Sequence, residues 1–468
     1  MKKSKLLDVF RSLNTSKLRL LNEFVESPYH CKNQQVRKMC AYLTKCYPDF
    51  KDDKVHRESV YKAVFTGEFN DLKMRHLSSL LLKTTEEFLV VEAQREEKVL
   101  SNILLMQEFR KLKLQKHFSA SLRKTRDIRD KEEKKGIPYF YHSYRIEEEI
   151  ELFDSTIKER RDETNLQKVS DQLDAFYVTS KLKQICEIFT YQHLFNQNYE
   201  LKMMDEILDH LKSNAYENPV INIYYYGFLT LRDRDNDEHF YKLKEELVKH
   251  KHSLAKEEFG DAHAMARNYA IHSVNRGKPE LLSELLDLYK LALEMGMLLD
   301  EKGELSPSSF KNILFIGIKA KEIGWVEQFV KKYSKKITPS VQDSFRKFAL
   351  ALLNFEKGEY QDTIYLLNQI EYSDIFMMLD SKMILMKAYY EMDEYDALES
   401  LLESFNQLLI RKKILGYHKE IYRNSTKMIK QLLHLSEFDK DKRAELKEKV
   451  QNSKIAVVKG WLLEKLDH

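Results

Sequence analysis

Residues that break regular structure are scarce along this chain. Glycine (12 residues) and proline (7 residues) make 12 + 7 = 19 of 468 positions, about half the usual share of these two residue types or less. No glycine or proline occurs between Gly67 and Gly136. Because strands joined by short hairpins need turn residues at close intervals, the sequence predicts long helices and an all-α fold.

The overall charge is nearly balanced. Charged residues make up 32% of the chain, yet 78 Lys and Arg face 74 Asp and Glu, a net charge of +4. This small excess gives no whole-chain argument for binding to nucleic acid or to a membrane. A hydrophobic share of 43% is ample for burial and argues against disorder.

Several features of the sequence favour the cytoplasm as the compartment. The N-terminal stretch MKKSKLLDVFRSL has no apolar run of signal-peptide length. No run of about 18 apolar residues occurs, so we expect no spanning helix and no membrane partner. The four cysteines show no paired spacing, which is typical of free thiols in a reducing compartment.

The first part of the chain is predicted to form two helical elements. Residues 1–95 read as a compact N-terminal helical unit, in which Asn14 and Asn70 are suited to begin helices. Residues 96–137 follow as one long charged connecting helix, for which a break near Phe118-Ser119 is the alternative. From Glu108 to Lys135 this stretch holds eleven Lys or Arg and five Asp or Glu. The turn at Gly136-Ile137-Pro138 then precedes a helical array over 138–468.

Regularly spaced turns mark this array. Gly358-Glu359-Tyr360 and Asp393-Glu394-Tyr395 each separate two apolar helices, and the two tyrosines are 395 − 360 = 35 residues apart. Gly277 and Gly324 occupy earlier turns of the same kind. This spacing predicts a stack of antiparallel helix hairpins, a solenoid with a period in the thirties.

The repeated units resemble tetratricopeptide repeats over residues 310–410. Gly317 and Gly324 are seven residues apart, as the two glycine positions of that family are. In the next unit Ala351, Gly358, Tyr360, Thr363 and Ile364 match in order, whereas in the third Asp393 replaces the glycine. The resemblance is faint over 180–300 and absent before that. It implies a right-handed superhelical stack with a concave face.

The family's register also implies which side chains would line that concave face. The groove would be mainly apolar, and the family's carboxylate clamp of Lys, Arg and Asn is not reproduced. Two alternatives follow: the groove receives an apolar segment of a partner, or the C-terminal helix, with Ile455, Val457, Val458, Trp461, Leu462 and Leu463, fills it. The residues predicted to contact a partner are Lys311, Leu314, Lys321, Phe348, Phe355, Asp380, Met383, Lys387 and Tyr390.

No motif for catalysis or for a cofactor is present in the sequence. It lacks a phosphate loop, a dinucleotide fingerprint, GxSxG and HExxH, so we expect a protein that is not an enzyme and has no cofactor. Cys31, Cys40, Cys46 and His30 do not match common zinc spacings, and buried thiols are the preferred interpretation. The acidic run Glu147–Glu149 is interpreted as a solvated face.

These observations predict a scaffold or adaptor that binds a protein or peptide partner on the surface of the repeats. The alternative is a regulator associated with nucleic acid, in which the basic region over 1–135 binds the nucleic acid and the array acts as sensor or oligomerisation module. Nucleic acid is the less favoured partner, because no helix-turn-helix spacing supports it.

Overall fold

The computed structural model confirms the all-α fold class. It describes residues 4–132, 134–157, 164–195, 197–213, 218–372, 374–411, 416–436, 439–453 and 458–467, with the backbone alone at 157, 193–195, 213 and 416–418. Within these ranges the chain forms 23 α-helices, one short 3₁₀ helix and no β-strand.

The chain divides into two compact units, residues 1–181 and 182–468, and α9 contributes residues to both. The helices up to this division are α1 Lys5–Ser12, α2 Thr15–Glu26, α3 Gln34–Lys45, α4 Arg57–Val64, α5 Asp71–Glu96, α6 Lys98–Lys111, α7 Gln115–Asp130, α8 Ile137–Ile157 and α9 Leu166–Phe195.

The second unit continues with fourteen helices among its described residues. They are α10 Met204–Ser213, α11 Pro219–Arg232, α12 Asp237–His250, α13 Lys256–Asn275, α14 Leu281–Glu294, α15 Pro307–Lys319, α16 Ile323–Tyr333, α17 Gln342–Glu356, α18 Tyr360–Asn368, α19 Ile375–Glu391, α20 Tyr395–Arg411, α21 Gly416–Leu433, α22 Lys440–Asn452 and α23 Lys459–Asp467. The 3₁₀ helix Ser334–Lys336 follows α16.

Helices α1 to α5 enclose one apolar core. Their starts follow the predicted caps: Asn14 accepts a hydrogen bond from the amide of Lys17 at 2.9 Å, and Asn70 accepts one from Lys73 at 2.9 Å. Each cap satisfies an amide that the first helical turn leaves without an intrahelical partner. Phe10, Leu21 and Leu81 are fully buried between the helices.

The prediction of one long helix over 96–137 is wrong. The chain forms α6 and α7, which pack against each other and against α8. The turn between them places Lys113 at φ 56°, and the amide of Leu114 donates to the carbonyl of Phe109 at 2.9 Å. Met106 and Phe118 are apolar and become buried when α7 folds back against α6. This burial favours the turn, although no glycine or proline is present there.

The second unit contains the predicted stack of helix hairpins. Consecutive helices from α11 to α20 contact one another, and α15, α17 and α19 also contact in succession. Tyr360 and Tyr395 begin α18 and α20, so they occupy equivalent places in adjacent hairpins. The described residues are thus compatible with a helical repeat array.

Three of the four predicted turns are confirmed by their backbone. Gly277, Gly358 and Asp393 have φ values of 99°, 81° and 58°. The turn predicted at Gly324 is wrong: this residue lies in the first turn of α16, and Lys321, at φ 59°, forms the turn. Lysine adopts this conformation because the amide of Glu322 donates to the carbonyl of Gly317 at 3.0 Å and ends α15.

The described residues of the C-terminal region form two helices, α22 and α23, and α22 ends where Ser453 takes an extended backbone conformation. Val458 and Trp461 are buried. Ile455 and Val457 lie outside the described residues.

Helices α15 and α16 pack closely at Gly317, and less closely at Gly324, the other described glycine of this hairpin. A Cβ atom at Gly317 would lie 2.5 Å from Cγ2 of Val326, whereas a Cβ atom at Gly324 would have no neighbour within 4 Å. Since Val326 is β-branched and fully buried, it has little freedom to move away.

We therefore expect alanine substitutions at Gly317 and at Gly324 to change the free energy of unfolding in opposite directions. Gly317→Ala should lower the free energy of unfolding by about 1–3 kcal/mol, because it overpacks the helix crossing. Gly324→Ala should raise it by about 0.5–1 kcal/mol, because it removes a flexible residue from a helix. Denaturant unfolding of both variants measures this, and equal effects would contradict the tight crossing.

Candidate functional site

The predicted partner-binding residues of α15, α17 and α19 include part of the protein core. Leu314, Phe348 and Met383 are fully buried. The ring of Phe348 lies 6.0 Å from that of Phe315, in an edge-to-face arrangement. These three side chains hold neighbouring hairpins together and are not exposed to a partner in this structure.

Lys311 and Asp380 form an ion pair between α15 and α19. Nζ of Lys311 lies 3.1 Å from Oδ2 of Asp380, and the hydroxyl of Tyr422 in α21 donates to Oδ1 at 2.7 Å. Burial raises the pKa of Asp380, while Lys311 and Tyr422 oppose that shift. The two partners thus satisfy a buried carboxylate and fix α21 against α19.

The C-terminal helix α23 lies on the same face. The indole ring of Trp461 stands edge-on to the ring of Tyr390 at 5.3 Å, and its N–H donates to Oε1 of Glu391 at 2.6 Å. Lys465 contacts Oε2 of Glu391 at 2.7 Å. The sequence left open whether a partner segment or the C-terminal helix occupies the groove. In the described structure α23, the C-terminal helix, covers the face formed by α15, α17 and α19.

A cavity of about 510 Å³ remains between α23 and the array. The ammonium of Lys387 lies 4.3 Å from the centre of the Phe355 ring. Among the described residues no carboxylate forms an ion pair with it, and burial lowers the pKa of Lys387. The predicted residues that line this cavity are Lys321, Phe355, Asp380, Met383 and Lys387.

A second concave surface lies earlier in the same unit, and we call it the α9–α11–α13 groove. Its volume is about 530 Å³, and the described residues that line it come from α9, α11 and α13 and from Arg234. Helix α13 contributes Asp261, Asn268 and Asn275, which are spaced seven residues apart and so lie along one side of the helix. No further described element lies across this groove.

Ion pairs occupy one end of the α9–α11–α13 groove. Lys183 contacts Glu257 at 2.5 Å and Asp261 at 3.3 Å, and Tyr224 donates to Asp261 at 3.0 Å. Although burial opposes it, these two carboxylates raise the pKa of Lys183. Charged groups at this end are therefore already paired within the protein.

The other end of the groove offers polar groups that are not engaged. Asn268 and Asn275 are exposed, and the side chains of Asn268 and Arg234 have no hydrogen-bond or ion-pair partner within the described ranges. The sequence prediction named none of these residues. The seven-residue spacing of Asp261, Asn268 and Asn275, with buried apolar residues between them, is the signal that could have identified them.

Comparison of the chain with protein-family models, with curated proteins and with solved structures gives no significant match.

Buried glutamates of the first unit neutralise part of the positive charge of its basic region. Glu149 is 1% exposed and lies 2.9 Å from Arg110 and 3.7 Å from Arg145. Glu147 is also buried and pairs with Arg126 at 2.8 Å. The interpretation of Glu147–Glu149 as a solvated face is therefore wrong for these two residues, because α8 packs against α6 and α7, which carry Arg110 and Arg126, while Arg145 lies one turn away in α8 itself.

The cysteines occupy apolar surroundings. Cys31, Cys40, Cys46 and Cys186 are buried free thiols, as predicted, and burial raises the pKa of Cys40 to about 12. Searching the described ranges finds no group of three His, Cys, Asp or Glu arranged to hold a metal ion. The ring of His30 instead stacks on Phe24 at 3.8 Å.

A search for membrane spans within the described ranges finds no helix with the length and apolar character needed to cross a bilayer.

We expect Glu149→Ala to destabilise the first unit. It leaves Arg110 and Arg145 without their buried carboxylate, which should cost about 3–5 kcal/mol. Glu108→Ala removes an exposed partner of Lys111 and should cost less than about 1 kcal/mol. Urea unfolding of the two variants measures both effects, and a Glu149→Ala variant as stable as Glu108→Ala would contradict the buried network.

We expect Lys387→Met to stabilise the protein at neutral pH by about 1 kcal/mol, because it puts an apolar side chain in place of a half-buried ammonium group that has no ion pair with the described residues. The pKa of Lys387 is lowered in the folded protein, so its charged ammonium group reduces the free energy of unfolding at neutral pH. This destabilisation decreases as the pH rises towards the ordinary pKa of lysine. Thermal unfolding at neutral and alkaline pH tests this. Lys465→Met, which removes a partner of Glu391, should instead destabilise.

Proposed function

We propose that the protein is a non-enzymatic adaptor that binds a segment of a partner protein in the α9–α11–α13 groove. One observation carries this proposal: the groove has no further described element across it, whereas the face of α15, α17 and α19 is covered by α23. Stacked hairpins that leave a concave surface open are suited to binding an extended segment.

The chemistry of the groove supports a peptide as the ligand. Side-chain amides such as those of Asn268 and Asn275 both donate and accept hydrogen bonds, as the backbone of an extended peptide requires. Arg234 offers a guanidinium for a carboxylate or carbonyl oxygen. We propose the cytoplasm as the compartment.

The alternative, a regulator associated with nucleic acid, is less well supported. Arg110, Arg126 and Arg145 are paired with glutamates of α8, so they contribute less positive potential than their number implies. Binding that depends on phosphates should fall steeply with salt. It should also be lost when nuclease removes the nucleic acid.

The groove is tested by purification of the full chain from its native cell with and without nuclease, followed by identification of bound proteins. The double variant Asn268→Arg/Asn275→Arg fills the groove with two long side chains, and we expect recovery of the bound protein to fall at least about tenfold. That loss corresponds to about 1.4 kcal/mol. The matched control is Asn368→Arg/Asn452→Arg, which changes two exposed asparagines at the ends of α18 and α22.

Several results would contradict this proposal. Equal recovery from the groove variant and the control variant would exclude the α9–α11–α13 groove as the binding surface. Loss of the partner in Lys387→Met or Tyr390→Ala, with retention in the groove variant, would place binding on the face of α15, α17 and α19. Loss on nuclease treatment alone would favour the nucleic-acid alternative.

A further inference from the structure

A third concavity lies between α16, the 3₁₀ helix that follows it, and α17. Its volume is about 590 Å³, and we call it the α16–α17 groove. The apolar side chains of Val330, Leu350 and Leu353 line it, and Leu350 is only half-buried. The α16–α17 groove shares none of its lining residues with the α9–α11–α13 groove.

Two carboxylates line the α16–α17 groove, and both are already neutralised. Glu327 pairs with Lys357 at 2.7 Å, and Asp343 pairs with Lys347 at 2.8 Å. The remaining charged side chains of the lining are exposed cations, for which the described residues provide no ion-pair partner. These cations are Lys331, Lys335 and Arg346.

Two further lysines increase the positive charge beside the groove. Lys332 and Lys336 both lie near the Tyr333 ring, with their ammonium groups 5.1 and 5.9 Å from its centre. The sequence Lys331-Lys332-Tyr333-Ser334-Lys335-Lys336 thus places four cations within six residues. An incoming ligand therefore meets apolar side chains inside a rim of unpaired positive charge.

We propose that the α16–α17 groove binds an amphipathic helix of a partner protein that carries a row of apolar side chains flanked by carboxylates. The apolar row would cover Leu350 and its neighbours and remove them from water. The carboxylates would pair with Lys331, Lys335 and Arg346, and they would steer the helix to this side of the array. Charge complementarity thus selects an acidic partner over a basic one.

Other anionic ligands fit this groove less well. Single-stranded nucleic acid binds where aromatic side chains stack on bases, and none of the described residues that line the groove is aromatic. A membrane surface takes up apolar side chains that project outward, whereas Val330 and Leu353 are almost fully buried at the bottom of a concavity. A protruding helix with apolar and acidic side chains matches both the shape and the charge.

The test uses the full chain and two synthetic helical peptides of about 18 residues. Both carry leucines at i, i+3, i+4 and i+7 on one face. One has glutamates on the flanking positions and the other has lysines. Fluorescence anisotropy gives the Kd of each peptide, and we expect the acidic peptide to bind at least about tenfold more tightly, with an affinity that falls as salt is added.

The groove variant Lys331→Glu/Lys335→Glu/Arg346→Glu should lose at least about tenfold in affinity for the acidic peptide and should gain affinity for the basic one. A gain of binding cannot result from unfolding. The control variant is Lys249→Glu/Lys256→Glu/Lys302→Glu, which changes the net charge equally at exposed lysines elsewhere in the same unit. It should bind the acidic peptide within about twofold of the unsubstituted protein.

Three outcomes would overturn the proposal: no binding of the acidic peptide, equal binding of the two peptides, or equal losses in the groove and control variants. The Asn268→Arg/Asn275→Arg variant should bind the acidic peptide like the unsubstituted protein. The failure of the α9–α11–α13 groove as a partner site is therefore distinguishable from the failure of the α16–α17 groove.

Discussion

Burial of helices that are apolar on more than one side is the constraint on which the second unit depends. Phe348 in α17 and Met383 in α19 are fully buried. Within a hairpin, each helix has a single partner helix, which can cover only one of its sides. Each such side chain contributes about 1.5–3 kcal/mol when it leaves water, so neighbouring hairpins must stack. The close approach at Gly317 brings α15 and α16 together. The same requirement explains α23, which covers the Tyr390 side chain with Trp461.

The distribution of paired and unpaired charge separates the surfaces of the protein by their roles. At two helix contacts a buried carboxylate has a cationic partner: Glu149 has Arg110 and Asp380 has Lys311. In the α16–α17 groove the carboxylates are satisfied locally and the cations are left over. Because an exposed cation costs little while it is hydrated, it remains available to a partner. Lys387 differs from these groups, since its ammonium is half-buried and forms no ion pair with a described residue.

Local signals in the sequence predicted local features well. The caps at Asn14 and Asn70, and the turns at Gly277, Gly358 and Asp393, depend on interactions within a few residues. The turn between α6 and α7, which the sequence did not predict, shows the limit of such signals. Lys113 is not a residue type that predicts a positive φ, and the chain turns there because Met106 and Phe118 must be buried against residues far along the sequence. The turn at Lys321 was not predicted for a different reason: Gly324, three residues later, is a residue type that more often forms a turn.

The sequence by itself determined the all-α class, the helix caps and most apolar positions, because helix periodicity and capping are short-range properties. Only the tertiary structure decided which surfaces are covered. Trp461 reaches Glu391 across 70 residues of chain, and Arg110 reaches Glu149 across 39. No local pattern encodes those pairings, because they depend on how successive helices rotate and stack. For the same reason the α9–α11–α13 groove and the unpaired cations of the α16–α17 groove could be recognised only after the helices had been placed.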